Sequence, residues 1–375
     1  MRFDSTLGMI LMLAACGDDA KPVALGPCDI DDGRCIFRHD TFGDEQLWTD
    51  TLRLHELVQT LPPKMALAVG LKVDAAAVPA DVLASANLDD PATTVALVGL
   101  DAVVGVKGVV ENGKITRIGI TCALCHSTVD NSVAPGIGQR LDGWPNRDLD
   151  PGGIIALTPG APATAKPMLA SWGKGRYDAR FNQDGESHPV LVPPAYGLRD
   201  VALESYTGEG PVSYWNAYVA VTQMGAQGNF VDKDLGIDIR HDPDRVTPML
   251  PALRAYQFSL EPPPAPAGSF DAAAAVRGKV VFDASCSRCH SGSSFSDAPK
   301  LHAASETQMS VDEARRSKTG MYRTTPLRGA WSHPPYFHDG SAATLQAVVE
   351  HYNTVLGLAL TAPQKSDLEH YVRSL

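Results

Sequence analysis

Apolar positions along the chain form short periodic stretches, broken by polar, glycine-rich and proline-rich segments. In "DEQLWTDTLRLHELVQTL", residues 44–61, Leu47, Thr51, Leu54, Val58 and Leu61 recur at helical spacing behind Asp44, which predicts an amphipathic scaffold helix with Asp44 as its cap. Two β-branched runs flank Asn112-Gly113 in "AVVGVKGVVENGKITRIGI", a pattern that predicts a hairpin with a two-residue turn. Further on, "VTPMLPALRAYQFSL" reads as a helix that stops before "EPPPAPAGS", a stretch stiff enough to be an extended connector. "DAAAAVRGKVVFDASC" follows as an Ala-rich helix capped by Asp271. The chain closes on a helix capped by Thr361, with Leu368, Tyr371, Val372 and Leu375 on one face. The pattern as a whole is mainly α, with many loops and a small β-hairpin in the first part. It places a domain over residues 17–260, a linker over 261–269 and a second domain over 270–375.

Composition narrows the class. The 33 glycines and 28 prolines favour short helices joined by loops, and 375 residues suffice for two domains with separate cores. A formal charge of −11 repels a phosphate backbone, which excludes nucleic acid and favours a basic partner. The apolar run Leu7 to Ala15 is too short to span a bilayer and reads as an export signal over residues 1–16. Leu13-Ala14-Ala15-Cys16 is similar to the bacterial lipoprotein box, which makes Cys16 a candidate lipid site and the periplasm the expected compartment, with the membrane touched only through that anchor. Of the 7 cysteines, Cys28 and Cys35 lie close together, and in an oxidising compartment they are expected to form a short-range disulfide.

The other four cysteines fall in one repeated pattern: Cys122-Ala-Leu-Cys125-His126, and 164 positions later Cys286-Ser-Arg-Cys289-His290. On one helical turn, positions i, i+3 and i+4 share a face, so two thiols can each bond a vinyl group of one porphyrin while the adjacent imidazole reaches the iron. This is the c-type haem attachment signature, and it predicts two covalently bound haem c groups with His126 and His290 as proximal ligands. A structural zinc site would need four ligands nearer in sequence, and a thioredoxin-like pair would need a βαβ context. A weak echo accompanies the motifs. Measured from Pro326 and Pro194, Gly340 and Gly208 both fall 14 positions on, and Thr344 or Ser213 then precedes a helical pattern, as if one module were present twice.

At "GMYRTTPLRGAWSHPPYFHDGSAATLQAVVEHYN" the chain resembles the C-terminal haem domain of bacterial di-haem cytochrome c peroxidases and of the methylamine-utilisation (MauG-like) di-haem c-type cytochromes. The likeness runs from about residue 270 to the end, and in the first domain it is confined to "ITCALCHS" and the "PPAYG…YTGEG" echo. It implies two cytochrome c-like haem domains and a small redox protein as electron donor or acceptor, and the unequal ligand candidates make the N-terminal haem the expected site of reaction with peroxide or oxygen and the C-terminal haem the electron relay. Tyr352 matches the sixth ligand of the second haem in the methylamine-utilising relatives, with His302, Met321 and Met309 as rivals. For the first haem Met224, Met168 and His188 are candidates, and an open iron is the alternative. Tyr206 stands where the relatives carry a bridging Trp; Asn216 lies near their catalytic Gln, and Gln223 or Gln227 near their Glu. His338 and Asp339 read as a structural turn. The loop "DNSVAPGIGQRLDGWPNRDLDPGG" either covers a haem or holds a calcium ion. The expected function is that of a periplasmic electron-transfer protein acting as a peroxidase-like oxidoreductase, with a pure electron carrier whose haems are both six-coordinate as the alternative.

Overall fold

The computed structural model describes Leu25 and residues 27–375, so the export signal expected over residues 1–16 and the candidate lipid site Cys16 lie outside the described residues. The described residues divide into two compact units, those up to 195 with 216–257, and 196–215 with 258–375. The second unit therefore takes residues 196–215, which the sequence pattern assigns to the first domain.

In the first unit the predicted hairpin is formed by Val106–Glu111 and Lys114–Ile120, running from Val106 opposite Ile120 to Glu111 opposite Lys114 with a bulge at Val109/Val110. Asn112 and Gly113 have φ of 51° and 74°, the left-handed pair a two-residue hairpin turn needs, which Asn tolerates and Gly adopts freely. Four more two-stranded ladders pin loops in this unit, and a sixth joins Leu301–Ala303 to Met321–Arg323 in the second, so strand pairing goes well beyond the single hairpin expected. These ladders are two or three residues long, too short to leave a periodic signature, yet they satisfy the backbone groups of long irregular segments. Ile36, Phe37, Val98, Ile118 and Leu149 are fully buried at the centre of this unit.

The scaffold helix expected over 44–61 is broken. Gln46–Thr51 is a π-helical turn, Arg53 sits at φ 59°, and Leu54–Val58 is a separate single turn. Thr51 points to solvent and Leu52 is buried in its place. Asp44 does not cap: its carboxylate accepts the N–H of Ile120 at 3.2 Å, holding the end of the hairpin instead.

The second unit follows the pattern more closely. The helix Ala272–Ser285 is capped by Asp271, which accepts from Ala274 N–H, and Leu345–Val355 is capped by Thr344. Ala362–Ser374 starts with a capping box between Thr361 and Gln364. These helices bury Phe282, Val349 and Leu368 in one cluster, against which Cys286, Tyr371 and Val372 pack. Ser213 lies inside the helix Val212–Val219, whose first N–H is met by Glu204 at 2.5 Å. The two echo segments are not one to a unit: Tyr206 and His338 stack on each other at 6.3 Å within the second unit.

Candidate functional site: two Cys-x-x-Cys-His turns

Both motifs fold into the same α-turn. The N–H of His126 donates to Cys122 O at 3.2 Å, and that of His290 to Cys286 O at 3.0 Å, which brings the two sulfurs and the imidazole of each motif to one face. Their settings differ. Cys122 opens a new helical turn, Ala123–His126, directly after the hairpin, with Thr121 Oγ1 accepting the N–H of Ala123 at 3.3 Å. Cys286 ends a 14-residue helix, its N–H donating to Phe282 O at 2.8 Å. Gly143 and Asn146 hold the first turn from below through N–H bonds to His126 O and Cys125 O, at 2.8 and 2.9 Å. On the other side Gly105 (φ 75°) comes so near the backbone of Leu124 that any Cβ there would collide with it.

Each imidazole is oriented by a carbonyl. His126 Nδ1 lies 3.1 Å from Pro193 O, and His290 Nδ1 lies 3.0 Å from Phe295 O. A carbonyl can only accept, so Nδ1 carries the proton and Nε2 presents a lone pair, the tautomer a metal-bound histidine needs. Burial takes His126 down to about 4 and also lowers His290, so both rings are neutral near pH 7.

The four thiols are unpaired, while Cys28 and Cys35 form a disulfide with Cα atoms 5.7 Å apart. Burial pushes Cys122 and Cys125 each up to about 12 and Cys286 to about 11, and raises Cys289 as well. A dithiol redox pair or a thiolate metal site is built the other way, with neighbours that depress the thiol. Protonated thiols beside a neutral imidazole instead fit covalent attachment of a porphyrin: the sulfurs would become thioethers and the Nε2 lone pair would face the iron.

Around the second motif, Tyr352 lies close enough to Cys289 and Cys286 for their charges to act on it, and burial raises its phenol to about 12. Its ring packs edge-on to Phe337 and His351, at 6.0 and 5.3 Å. His302 is buried between two carboxylates, with Nε2 3.0 Å from Asp297 and Nδ1 3.1 Å from Glu306. Cys289, Asp297 and His302 gather donor atoms within 4.8 Å of one another, the one such group among the described residues. Met321 is an exposed strand residue, and Met309 packs on the cluster around Tyr322.

Around the first motif the structure places residues that the sequence pattern does not single out. Tyr177 lies near Cys125, and its hydroxyl donates to Gln223 Oε1 at 3.1 Å; Asn182 Nδ2 donates to the same oxygen at 3.3 Å. Asp40 and Asp44 act on Cys122. The other candidates are placed as follows. Met224 is buried, and its carbonyl takes the indole N–H of Trp48 at 3.0 Å. Met168 packs against the Trp172 cluster, and His188 Nε2 lies 3.5 Å from Glu186. Asn216 pairs with Gln257 at 2.8 Å, and Gln227 lies beside Gly43. Tyr206, in the second unit, donates to Glu313 at 2.5 Å and stacks with Tyr322 and His338. His338 is lowered by burial.

The amide and acidic side chains of the 130–153 loop hold the loop itself. Asp130 accepts from Ser132 and Gln139, Asn131 from Gly136, and Asp150 from Gly153. Asp142 takes Arg38 and Tyr256, each at 2.5 Å.

No family model and no curated protein matches the chain. Among solved structures it is similar to a MauG-like protein associated with microbial copper homeostasis, at 20% identity and a TM-score of 0.27, over 34% of this chain and 56% of that one. It is also similar to the hydrazine synthase of Kuenenia stuttgartiensis, at 18% identity and a TM-score of 0.34, over 50% of this chain and 72% of that one.

Proposed function

We propose that the protein is a di-haem c-type cytochrome and a redox protein of the peroxidase-like kind. Cys122 and Cys125 would hold one haem and Cys286 and Cys289 the other, with His126 and His290 facing the irons through Nε2. One observation carries this reading: the same α-turn occurs twice, and each time it joins two unpaired protonated thiols to an imidazole whose Nδ1 is fixed on a backbone carbonyl. Haem supplies one-electron chemistry at potentials set by axial ligand and burial.

The division of labour follows from what faces each motif. Tyr352 lies beside the second, is half-buried, and its hydroxyl makes no hydrogen bond among the described residues, as suits a sixth ligand. Tyr177 lies near the first, but its phenol is held protonated by burial and its one O–H donates to Gln223, so it does not suit a ligand and the iron there would stay open. The first haem is therefore the reactive one, open to peroxide or oxygen, and the second relays electrons to or from a small redox protein. The chain would do this in the periplasm, held to the membrane by lipid on Cys16.

The test is a pyridine haemochrome assay with mass spectrometry of the exported protein, followed by electron paramagnetic resonance. Two covalent haems, with one high-spin and one low-spin ferric signal, are expected. Two low-spin signals alone would leave the pure electron carrier, and zinc without haem would overturn the reading.

A further inference from the structure

Within six residues the first unit buries three carboxylates, Asp40, Asp44 and Glu45, each at 2% exposure or less. Asp40 accepts the N–H of Phe42 at 2.7 Å and of Cys28 at 3.2 Å, and Asp44 accepts that of Ile120. Glu45 Oε1 accepts from Leu25 N–H at 2.7 Å and from Thr41 Oγ1 at 2.5 Å, whereas its Oε2 is buried with no hydrogen-bond partner among the described residues. Arg245 is a cation that acts on Asp40. Carboxylates buried this close together lose their hydration and repel one another when ionised, an arrangement that protein interiors avoid by keeping a proton. Accordingly Asp44 is pushed well above the carboxylate range, by burial first and by the charge of Glu45 next, and Asp40 is raised for the same reasons. The carboxylates are too dispersed for a cation cage, since the one donor group that tight among the described residues is Cys289, Asp297 and His302.

The cluster lies at the first motif. Asp44 holds the N–H of Ile120, two residues before Cys122, and the charges of Asp40 and Asp44 both reach the Cys122 sulfur. We propose that Asp44, with Asp40 beside it, is a redox-linked proton site for the haem held at Cys122, taking up a proton from solvent when that haem is reduced and releasing it on oxidation. This rests on the haem reading above. At a pH where Asp44 is ionised beside the oxidised haem, an electron arriving from the redox partner would add a negative charge beside the cluster and the carboxylate would gain one O–H bond with a proton drawn from water, so the total charge of the pair would be unchanged. The coupling is reciprocal: if reduction raises proton affinity, raising the pH must lower the reduction potential.

Spectroelectrochemical titration of the fully loaded protein between about pH 5 and about pH 9 tests this. One of the two midpoint potentials should fall as pH rises, by up to a tenfold change in the reduction equilibrium per pH unit, and the other should not follow it. Asp44→Asn keeps an acceptor oxygen for Ile120 N–H and should flatten the slope; Glu45→Gln serves if that variant fails to take up haem. Flat midpoints in the wild type, or an unchanged slope in both variants, would overturn the inference while leaving the haem reading intact. A mass spectrum without haem on Cys122 and Cys125 would overturn that reading, and the inference with it.

Discussion

At the residue scale, Tyr352 separates a ligand from a packing residue. Its hydroxyl makes no hydrogen bond among the described residues, so removing it leaves no orphaned partner, and Tyr352→Phe should change stability by no more than about 1 kcal/mol. A sixth ligand would instead announce itself in the spectrum: Tyr352→Phe should convert the low-spin ferric signal of the second haem to high-spin. An unaltered spectrum would make Tyr352 a core residue on the helix Leu345–Val355. Asp44 offers a second test, in which the sign follows from linkage. Its folded-state affinity for a proton is raised, so the native chain binds more protons than the unfolded one, and stability falls as pH rises from the ordinary carboxylate range through the elevated folded value. Asp44→Asn removes that loss. Melting curves should show the variant gaining on wild type between about pH 4 and about pH 8, with the difference smallest at the acid end. A constant difference across that range would mean that Asp44 is not held protonated.

At the element scale, the first motif depends on the hairpin that precedes it and on Gly105. Placing a Cβ at Gly105 forces Leu124 away and strains a backbone at φ 75°, a cost of about 3 kcal/mol. Gly105→Ala should therefore yield protein loaded with the second haem and deficient in the first, read from the haem to protein ratio. The hairpin itself was legible from two β-branched runs around Asn112-Gly113, because its information is local. So were the caps at Asp271 and Thr361, where a short polar side chain meets the N–H three residues on. The break near residue 53 was not. The period of Leu47, Leu54 and Val58 is helical, but Asp44 is engaged by Ile120, 76 residues away, and no local pattern reports a partner at that distance. The same holds at the site: both Cys-x-x-Cys-His turns can be read directly, whereas Pro193, Phe295, Tyr177, Asp40 and Asp44 reach them through long-range packing or loop closure. Tyr206 and His338 are the converse case. Their similar settings in the sequence suggested one member of a repeat in each half, and the chain instead stacks them on each other in one unit.

At the scale of the whole molecule, a disulfide and the net charge each carry a prediction. The disulfide from Cys28 to Cys35 closes a loop with a sequence separation of 7, and losing it relieves a constraint on the unfolded chain worth about 2 kcal/mol. Cys28→Ala with Cys35→Ala should melt several degrees lower and keep both haem signals, since neither residue belongs to a motif; loss of the first haem would mean that the helix Gly33–His39 has to be locked for the motif to load. The second feature is charge. With 43 acidic and 32 basic side chains, the net field favours encounter with a cationic electron carrier and repels an anionic one, and over separations beyond about 8 Å that field is screened at physiological salt. Stopped-flow reduction by a basic small cytochrome should accordingly slow several-fold as ionic strength rises from about 0.01 M to about 0.15 M, while reduction by an acidic one should quicken. Equal and flat salt dependence for both would mean that the partner docks on a locally neutral patch. The net charge would then serve solubility, and the donor would have to be sought by shape rather than by its charge.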